Sequence, residues 1–159
     1  MISIGEKIPA ITLTTMTEDG PKPVNTEELF SGKKVVLFAV PGAFTPTCSA
    51  QHLPGFVSSA SEIKEKGADL VACISVNDPF VMAAWGKDRG VNEEVLMLAD
   101  GNCDFTSAVG LEMDGSGFGL GKRSQRYAMI VDDGVVSVLS VESGPGLEVS
   151  SAESILEVI

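Results

Sequence analysis

The stretch Lys34–Val40, Lys-Val-Val-Leu-Phe-Ala-Val, is continuously apolar and rich in β-branched residues. Continuous rather than alternating hydrophobicity predicts a strand covered on both faces. Pro41-Gly42 ends it. Beyond Cys48 the period changes: Leu53, Phe56, Val57, Ala60 and Ile63 recur at helical spacing, and Gly67 closes the segment. Pro54 falls inside that pattern and predicts a kink. Asp69–Val76 is a second buried strand, so strand, helix and strand form a βαβ unit with a parallel pair.

Asp78-Pro79 predicts a helix start, with Asp78 as N-cap, Pro79 in the first turn, and an apolar face of Phe80, Val81, Ala84 and Trp85. Val95–Ala99 reads as a short strand. Tyr127–Val131 and Val135–Val141 flank Asp132-Asp133-Gly134, a hairpin signal. Ser150 with Glu153 forms a capping box before a closing helix through Ile155, Leu156 and Val158. The sum is an α/β domain with a central mixed sheet. Its 159 residues suit a single domain, 1–159, that needs no disulfide or metal to fold. Gly115–Gly121 reads as a flexible loop whose spacing misses the dinucleotide fingerprint.

Charge narrows the partners. Eleven Lys and Arg against 22 Asp and Glu give a net charge of −11, which disfavours nucleic acid and anionic membrane. No run approaches the roughly 20 apolar residues that span a bilayer. Met1–Gly5 lacks the layout of a secretory signal, which leaves an intracellular location: cytoplasmic, or an organelle lumen such as chloroplast or mitochondrion if a transit peptide was removed. The three cysteines, Cys48, Cys73 and Cys103, are odd in number, widely spaced and free of C-x-x-C. That argues against a secreted disulfide framework or a zinc knuckle and for a reducing compartment.

The chemistry concentrates in Val40–Ser49, Val-Pro-Gly-Ala-Phe-Thr-Pro-Thr-Cys-Ser, where a buried strand ends and a helix begins. Ligands of open α/β sheets bind outside the carboxyl ends of strands. A cysteine in a helix's first turn meets the positive end of the helix dipole and unpaired N–H groups, both of which favour thiolate. Thr45 can aim a hydroxyl at the same spot, and Pro41 and Pro46 stiffen the approach. Local context alone leaves reactive thiol and inert core packing both open for Cys48.

The same segment resembles the active-site motif of peroxiredoxins, P-x-x-x-T-x-x-C, matched by Pro41, Thr45 and Cys48. The longer string through His52-Leu53-Pro54-Gly55-Phe56 is similar to the type II branch, and to its plant-type members in particular. Cys73–Met82, Leu98–Gly101 and Arg123–Ala128 match in register. The resemblance implies a thioredoxin-like α/β fold with an N-terminal extension. It implies a thiol peroxidase, with Cys48 attacking a hydroperoxide to leave a sulfenic acid. Thr45 would hydrogen-bond peroxide and thiolate, and the Pro41 ring would shield the pocket. Arg126 matches the family's arginine, with Arg123 the alternative; on residues alone, Arg126 reads as a solvated charge at a strand start. His52, one helical turn after Cys48, reads as scaffolding rather than base.

Some type II members carry a resolving cysteine in the segment matching Gly146–Ser150, where this chain has Val149. Cys73 reads as a buried core thiol, and Cys103 as an incidental exposed one. The reductant implied is therefore an external thiol, glutathione with glutaredoxin or else thioredoxin. The branch commonly forms homodimers, for which Phe44 or Trp85 are candidate contacts. No organic cofactor or metal is implied. A general thiol-disulfide oxidoreductase is disfavoured by Thr45 standing where C-x-x-C needs a second cysteine. A peroxide sensor or holdase would share the Cys48 chemistry without rapid turnover.

Overall fold

A computed structural model describes residues 1–159. Nine strands are present: β1 (Thr12–Thr17), β2 (Gly20–Asn25), β3 (Lys34–Ala39), β4 (Leu70–Ser75), β5 (Leu96–Ala99), β6 (Glu112–Asp114), β7 (Lys122–Ser124), β8 (Tyr127–Asp132) and β9 (Val135–Val141). Five α-helices join them: α1 (Thr26–Phe30), α2 (Leu53–Glu65), α3 (Pro79–Asp88), α4 (Asp104–Ala108) and α5 (Ala152–Val158). Seven strands form one mixed sheet in the order β2-β1-β5-β4-β3-β8-β9, and β6 pairs with β7 apart from it. β3, β4 and β5 run parallel, and β8 runs antiparallel to β3. This is a thioredoxin-like fold, its mixed sheet flanked by helices.

The continuous apolar run of β3 is explained by two cores. Val36, Phe38 and Val40 face a layer that includes Leu53, Phe56 and Ile63 of α2, Trp85 of α3 and Ile155 of α5. Val35, Leu37 and Ala39 face the other layer, with Phe30, Phe105 and Tyr127. Alternate residues of β4 divide in the same way: Val71 and Cys73 to the first layer, Ala72 and Ile74 to the second. With both faces covered, a parallel pair has no polar side to display.

Local signals account for several boundaries. Asp78 caps α3 by accepting from Val81 N at 2.8 Å, with Pro79 in the first turn. Asp133 and Gly134 have φ of 48° and 81°, the paired positive angles of a tight hairpin turn between β8 and β9.

Other expectations are corrected. α3 buries Met82, Trp85 and Gly86, whereas Phe80 is 65% exposed. Phe80 lies about 200° around the helix from Met82 and so points away from the sheet. The N-cap of α5 is Ser151, which accepts from Ser154 N, because Ser150 is drawn inward by Glu142. Within Gly115–Gly121 a short 3₁₀ turn, Ser116–Phe118, bridges the β6–β7 hairpin. Cys103 is buried rather than exposed, holding φ of 62° ahead of α4. No helix is long and apolar enough to cross a membrane.

Candidate active site

Between the end of β3 and the start of α2 the chain makes a loop, residues 41–45, turns helical at Pro46 and Thr47, and then widens into a π turn, Cys48–His52. The turn reconciles Pro54 with a helix. A π turn carries one extra residue, and the Leu53 N–H reaches back to Cys48 O. α2 then starts in a fresh register with Pro54 in its first turn, where a missing N–H costs nothing. The expected kink is thus a widened turn that begins at Cys48 itself.

Two braces hold the loop. Asn77, just past β4, accepts from Ala43 N at 3.0 Å and from Ser75 Oγ at 2.6 Å. Arg123 donates from Nη1 to Pro41 O at 3.3 Å and from Nε to Leu120 O at 3.0 Å. A Cβ on Gly42 would stand 2.8 Å from that Nη1, so glycine lets the guanidinium lie against the loop. Phe44 turns outward, 52% exposed at φ 64°. On the far side Trp85 Nε1 donates to Ser49 Oγ at 3.0 Å, tying the π turn to α3.

At the centre, Arg126 Nη2 donates to Cys48 Sγ at 3.1 Å and Arg126 Nη1 to His52 Nδ1 at 2.9 Å. Arg126 precedes β8 and is 7% exposed; Cys48 is 0% exposed. The only ion pairs in the chain are Arg89–Asp88 and Lys122–Glu112, so no carboxylate pairs with this buried guanidinium. A buried cation without a counter-charge costs several kcal/mol, and the group within its reach that can become an anion is the Cys48 sulfur. The structure therefore withdraws the surface-charge reading of Arg126, and it places Arg123 on the loop backbone rather than on sulfur.

His52 packs at a tilt against the stacked pair Phe38 and Phe56, its centroid 5.0 Å from the first and 5.5 Å from the second. Its Nε2 lies 2.9 Å from Ser150 O. A carbonyl only accepts, so Nε2 carries the proton and Nδ1 is left to accept from Arg126. Burial chiefly, and then the Arg126 charge, lower its pKa to about 4 against the pull of the Ser150 hydrogen bond, so the ring is neutral at pH 7.

Thr45 spends its hydroxyl proton on Gly42 O at 2.6 Å, so its oxygen can only accept, and the hydrogen bond to the thiolate expected from the resemblance is not made. Pro41 is half-buried where the loop leaves β3. Cys73 and Cys103 are both free and buried. No grouping of three or more His, Cys, Asp and Glu side chains is placed to share a metal. Trp85, a candidate dimer contact from the sequence, is 0% exposed and belongs to the core. Asn77, Arg123 as a brace, Glu142 and Ser150 were not found from sequence. Asn77 and Arg123 do lie inside the matched blocks, which offered a signal; the Glu142 carboxylate offered none.

Comparison with known proteins agrees with this architecture. The Redoxin family profile matches residues 3–156. The chain is 53% identical to Peroxiredoxin-2E, chloroplastic, of Arabidopsis thaliana, over 99% of this chain and 69% of the relative. It is 48% identical to Peroxiredoxin-2B of the same plant, over 99% and 98%. A crystal structure of a reduced peroxiredoxin from Vibrio vulnificus in complex with hydrogen peroxide superposes with a TM-score of 0.95 at 57% identity, over 99% and 98% of the two chains.

Proposed function

The chain belongs to the Redoxin family and within it to the type II peroxiredoxins, thiol-dependent peroxidases, and on that premise we propose that it reduces hydrogen peroxide and organic hydroperoxides through Cys48. The observation that carries the assignment is the 3.1 Å hydrogen bond to Cys48 Sγ from a buried Arg126 that has no carboxylate partner. A guanidinium there stabilises negative charge on sulfur, and its planar fork can also engage the peroxide oxygens.

The thiolate attacks the nearer oxygen of ROOH in line with the O–O bond. The S–O bond forms with the sulfur's electron pair as the O–O bond breaks. The leaving RO⁻ takes a proton to depart as water or alcohol, and sulfur, oxidised by two electrons, becomes a sulfenic acid. Arg126 stabilises the charge that develops on oxygen. Thr45 offers its hydroxyl oxygen as acceptor for the peroxide O–H, and Pro41 limits water at the mouth. A first external thiol then displaces water to form a mixed disulfide, and a second releases Cys48. Glutathione with glutaredoxin is the donor we favour, thioredoxin the other.

Because Cys48 has no exposed surface, a bulky thiol reaches the sulfenic sulfur only when the π turn loosens. The compartment is a reducing one, cytosol or an organelle lumen. In the homodimer expected of the branch, exposed Phe44 is the remaining candidate contact.

The test is intact mass spectrometry after one equivalent of hydrogen peroxide, with Cys48→Ser beside it. One added oxygen on the wild type alone is expected. Loss of two hydrogens would instead mean that Cys73 or Cys103 resolves the sulfenic acid, and no change would remove the assignment.

A further inference from the structure

Glu142 follows β9, is 8% exposed, and makes no ion pair. Its carboxylate is nevertheless the most heavily hydrogen-bonded side chain in the chain. Oε2 accepts from Glu148 N at 3.0 Å, Val149 N at 2.9 Å, Ser150 N at 2.8 Å and Ser150 Oγ at 2.6 Å, and Oε1 accepts from Glu148 N at 3.1 Å. Burial alone would raise this carboxyl; the donors from Ser150, Val149 and Glu148 outweigh it and hold it below its ordinary value. One acid therefore gathers the far end of the loop 143–151, which has no regular secondary structure of its own.

That loop matters to the site through a single atom. Ser150 O is the carbonyl that accepts from His52 Nε2. The bond fixes which ring nitrogen carries the proton, and hence that Nδ1 presents a lone pair to Arg126 Nη1. With Nη1 held by His52, the other limb of the fork meets Cys48 Sγ. Each link fixes the next, from carboxylate to loop to imidazole to guanidinium to sulfur. The backbone reinforces it, because Glu142 N donates to Arg126 O at 2.9 Å.

We propose that Glu142 is a positioning residue for the peroxidase site, acting through Ser150 and His52 to hold the Arg126 fork on Cys48. The role rests on the assignment of Cys48 and Arg126 made above. Glu142 touches neither substrate nor sulfur. It replaces a direct carboxylate–arginine pair, which would neutralise the cation that the thiolate needs, with a neutral imidazole that orients the guanidinium and leaves its charge free.

A double-mutant cycle tests this, reading the second-order rate of Cys48 oxidation by hydrogen peroxide in stopped flow. The single tryptophan, Trp85, hydrogen-bonded to Ser49, reports the reaction. Glu142→Gln, isosteric but carrying an N–H₂ where backbone donors converge, is expected to slow oxidation about tenfold. In an Arg126→Lys background the same change is expected to alter the rate by less than about twofold, because the fork it positions is gone. Ser150→Ala removes only the 2.6 Å bond and is expected to cost about threefold, with the same cancellation; it decides the matter if Glu142→Gln does not fold. A merely structural role would give losses that multiply in the double variant. Multiplying losses, or wild-type rates for the single variants beside a slow Arg126→Lys, would overturn the positioning role alone. Wild-type rates in Arg126→Lys, or no peroxide reaction in the wild type, would remove the site assignment and this role with it.

Discussion

Cys48 and Cys73 belong to the same hydrophobic layer, and neither exposes any surface. Burial alone would make them equally inert. Cys73 sits mid-strand in β4, in register with Phe38 of β3 and Met97 of β5. Burial first, and then the nearby Cys48, push its thiol well up, and Arg126 offsets this least of the three. Cys48 stands where the strand has ended and the π turn opens, with a guanidinium directly on its sulfur. A cation within hydrogen-bond reach separates the two thiols, and solvent access does not.

The sharpest way to break the comparison is to exchange the sulfur for oxygen at one site. Cys48→Ser is expected to lower peroxide reduction by at least about a thousandfold, since a serine hydroxyl beside arginine is neither ionised nor readily oxidised. A coupled assay with a thiol donor measures it. Retention of more than a small fraction of the rate would mean that Cys73 or Cys103 carries the chemistry.

Next in size is the cation. Arg126→Lys keeps a charge but loses the fork that reaches both Sγ and His52 Nδ1, and it is expected to slow Cys48 oxidation by at least about tenfold. A near-normal rate would leave the contrast between the cysteines without its cause. The Arg123→Lys variant sharpens the point. Arg123 braces the Pro41 carbonyl, so its loss should loosen the loop and cost less than the loss of Arg126.

How far these differences were legible in the sequence depends on the length scale of the force involved. β3, β4, the β8–β9 hairpin and the Asp78 cap follow from neighbours in the chain. The edge strand β2 and its neighbour β1 left no signal, because Gly-Pro-Lys-Pro-Val-Asn and Thr-Leu-Thr-Thr-Met-Thr carry too little apolar pattern to mark a strand. At the site, Pro41, Thr45 and Cys48 were readable as a motif. The burial of Arg126 was not, since any arginine at a strand start looks solvated until the fold closes over it. Ser150 was misplaced as a helix cap because its true partner, Glu142, lies across a loop. The Cys103 thiol looked exposed for the same reason: its neighbours Gly, Asn and Asp are polar, and only the packing of α4 covers it.

Acid sharpens the comparison from the side of His52. Its pKa falls from 6.5 to about 4 on folding, mainly through burial. Between those values the unfolded chain binds more protons than the folded one. Stability is therefore complete above about pH 6.5 and is lost as pH falls toward about 4, by about 3 kcal/mol. Denaturant midpoints across that range measure the loss, and His52→Gln should flatten it. Protonated Nδ1 would also repel Arg126, but in the folded protein that protonation comes only as pH falls through about 4, so Cys48 oxidation should hold down to that point and slow below it. An unchanged slope in His52→Gln would show that another group supplies the acid sensitivity.

The smallest effect on activity belongs to the second thiol. Cys73→Ala removes one sulfur from a layer packed by Phe38, Val71 and Trp85. The cavity should cost about 1–2 kcal/mol in a denaturant titration. The rate of Cys48 oxidation should stay within about twofold of wild type, because Cys73 donates to nothing at the site and no disulfide joins the two. The pairing of these two readouts carries the weight, since stability falls while rate does not. For Cys73 to resolve a Cys48 sulfenic acid, its strand would have to release a thiol that burial holds protonated, and its loss would then stall turnover with peroxide in excess. A variant that oxidises normally but no longer recycles would put the second cysteine back in the mechanism. One that recycles normally leaves Cys73 as packing, and makes the Arg126 contact the whole of the difference between the two sulfurs.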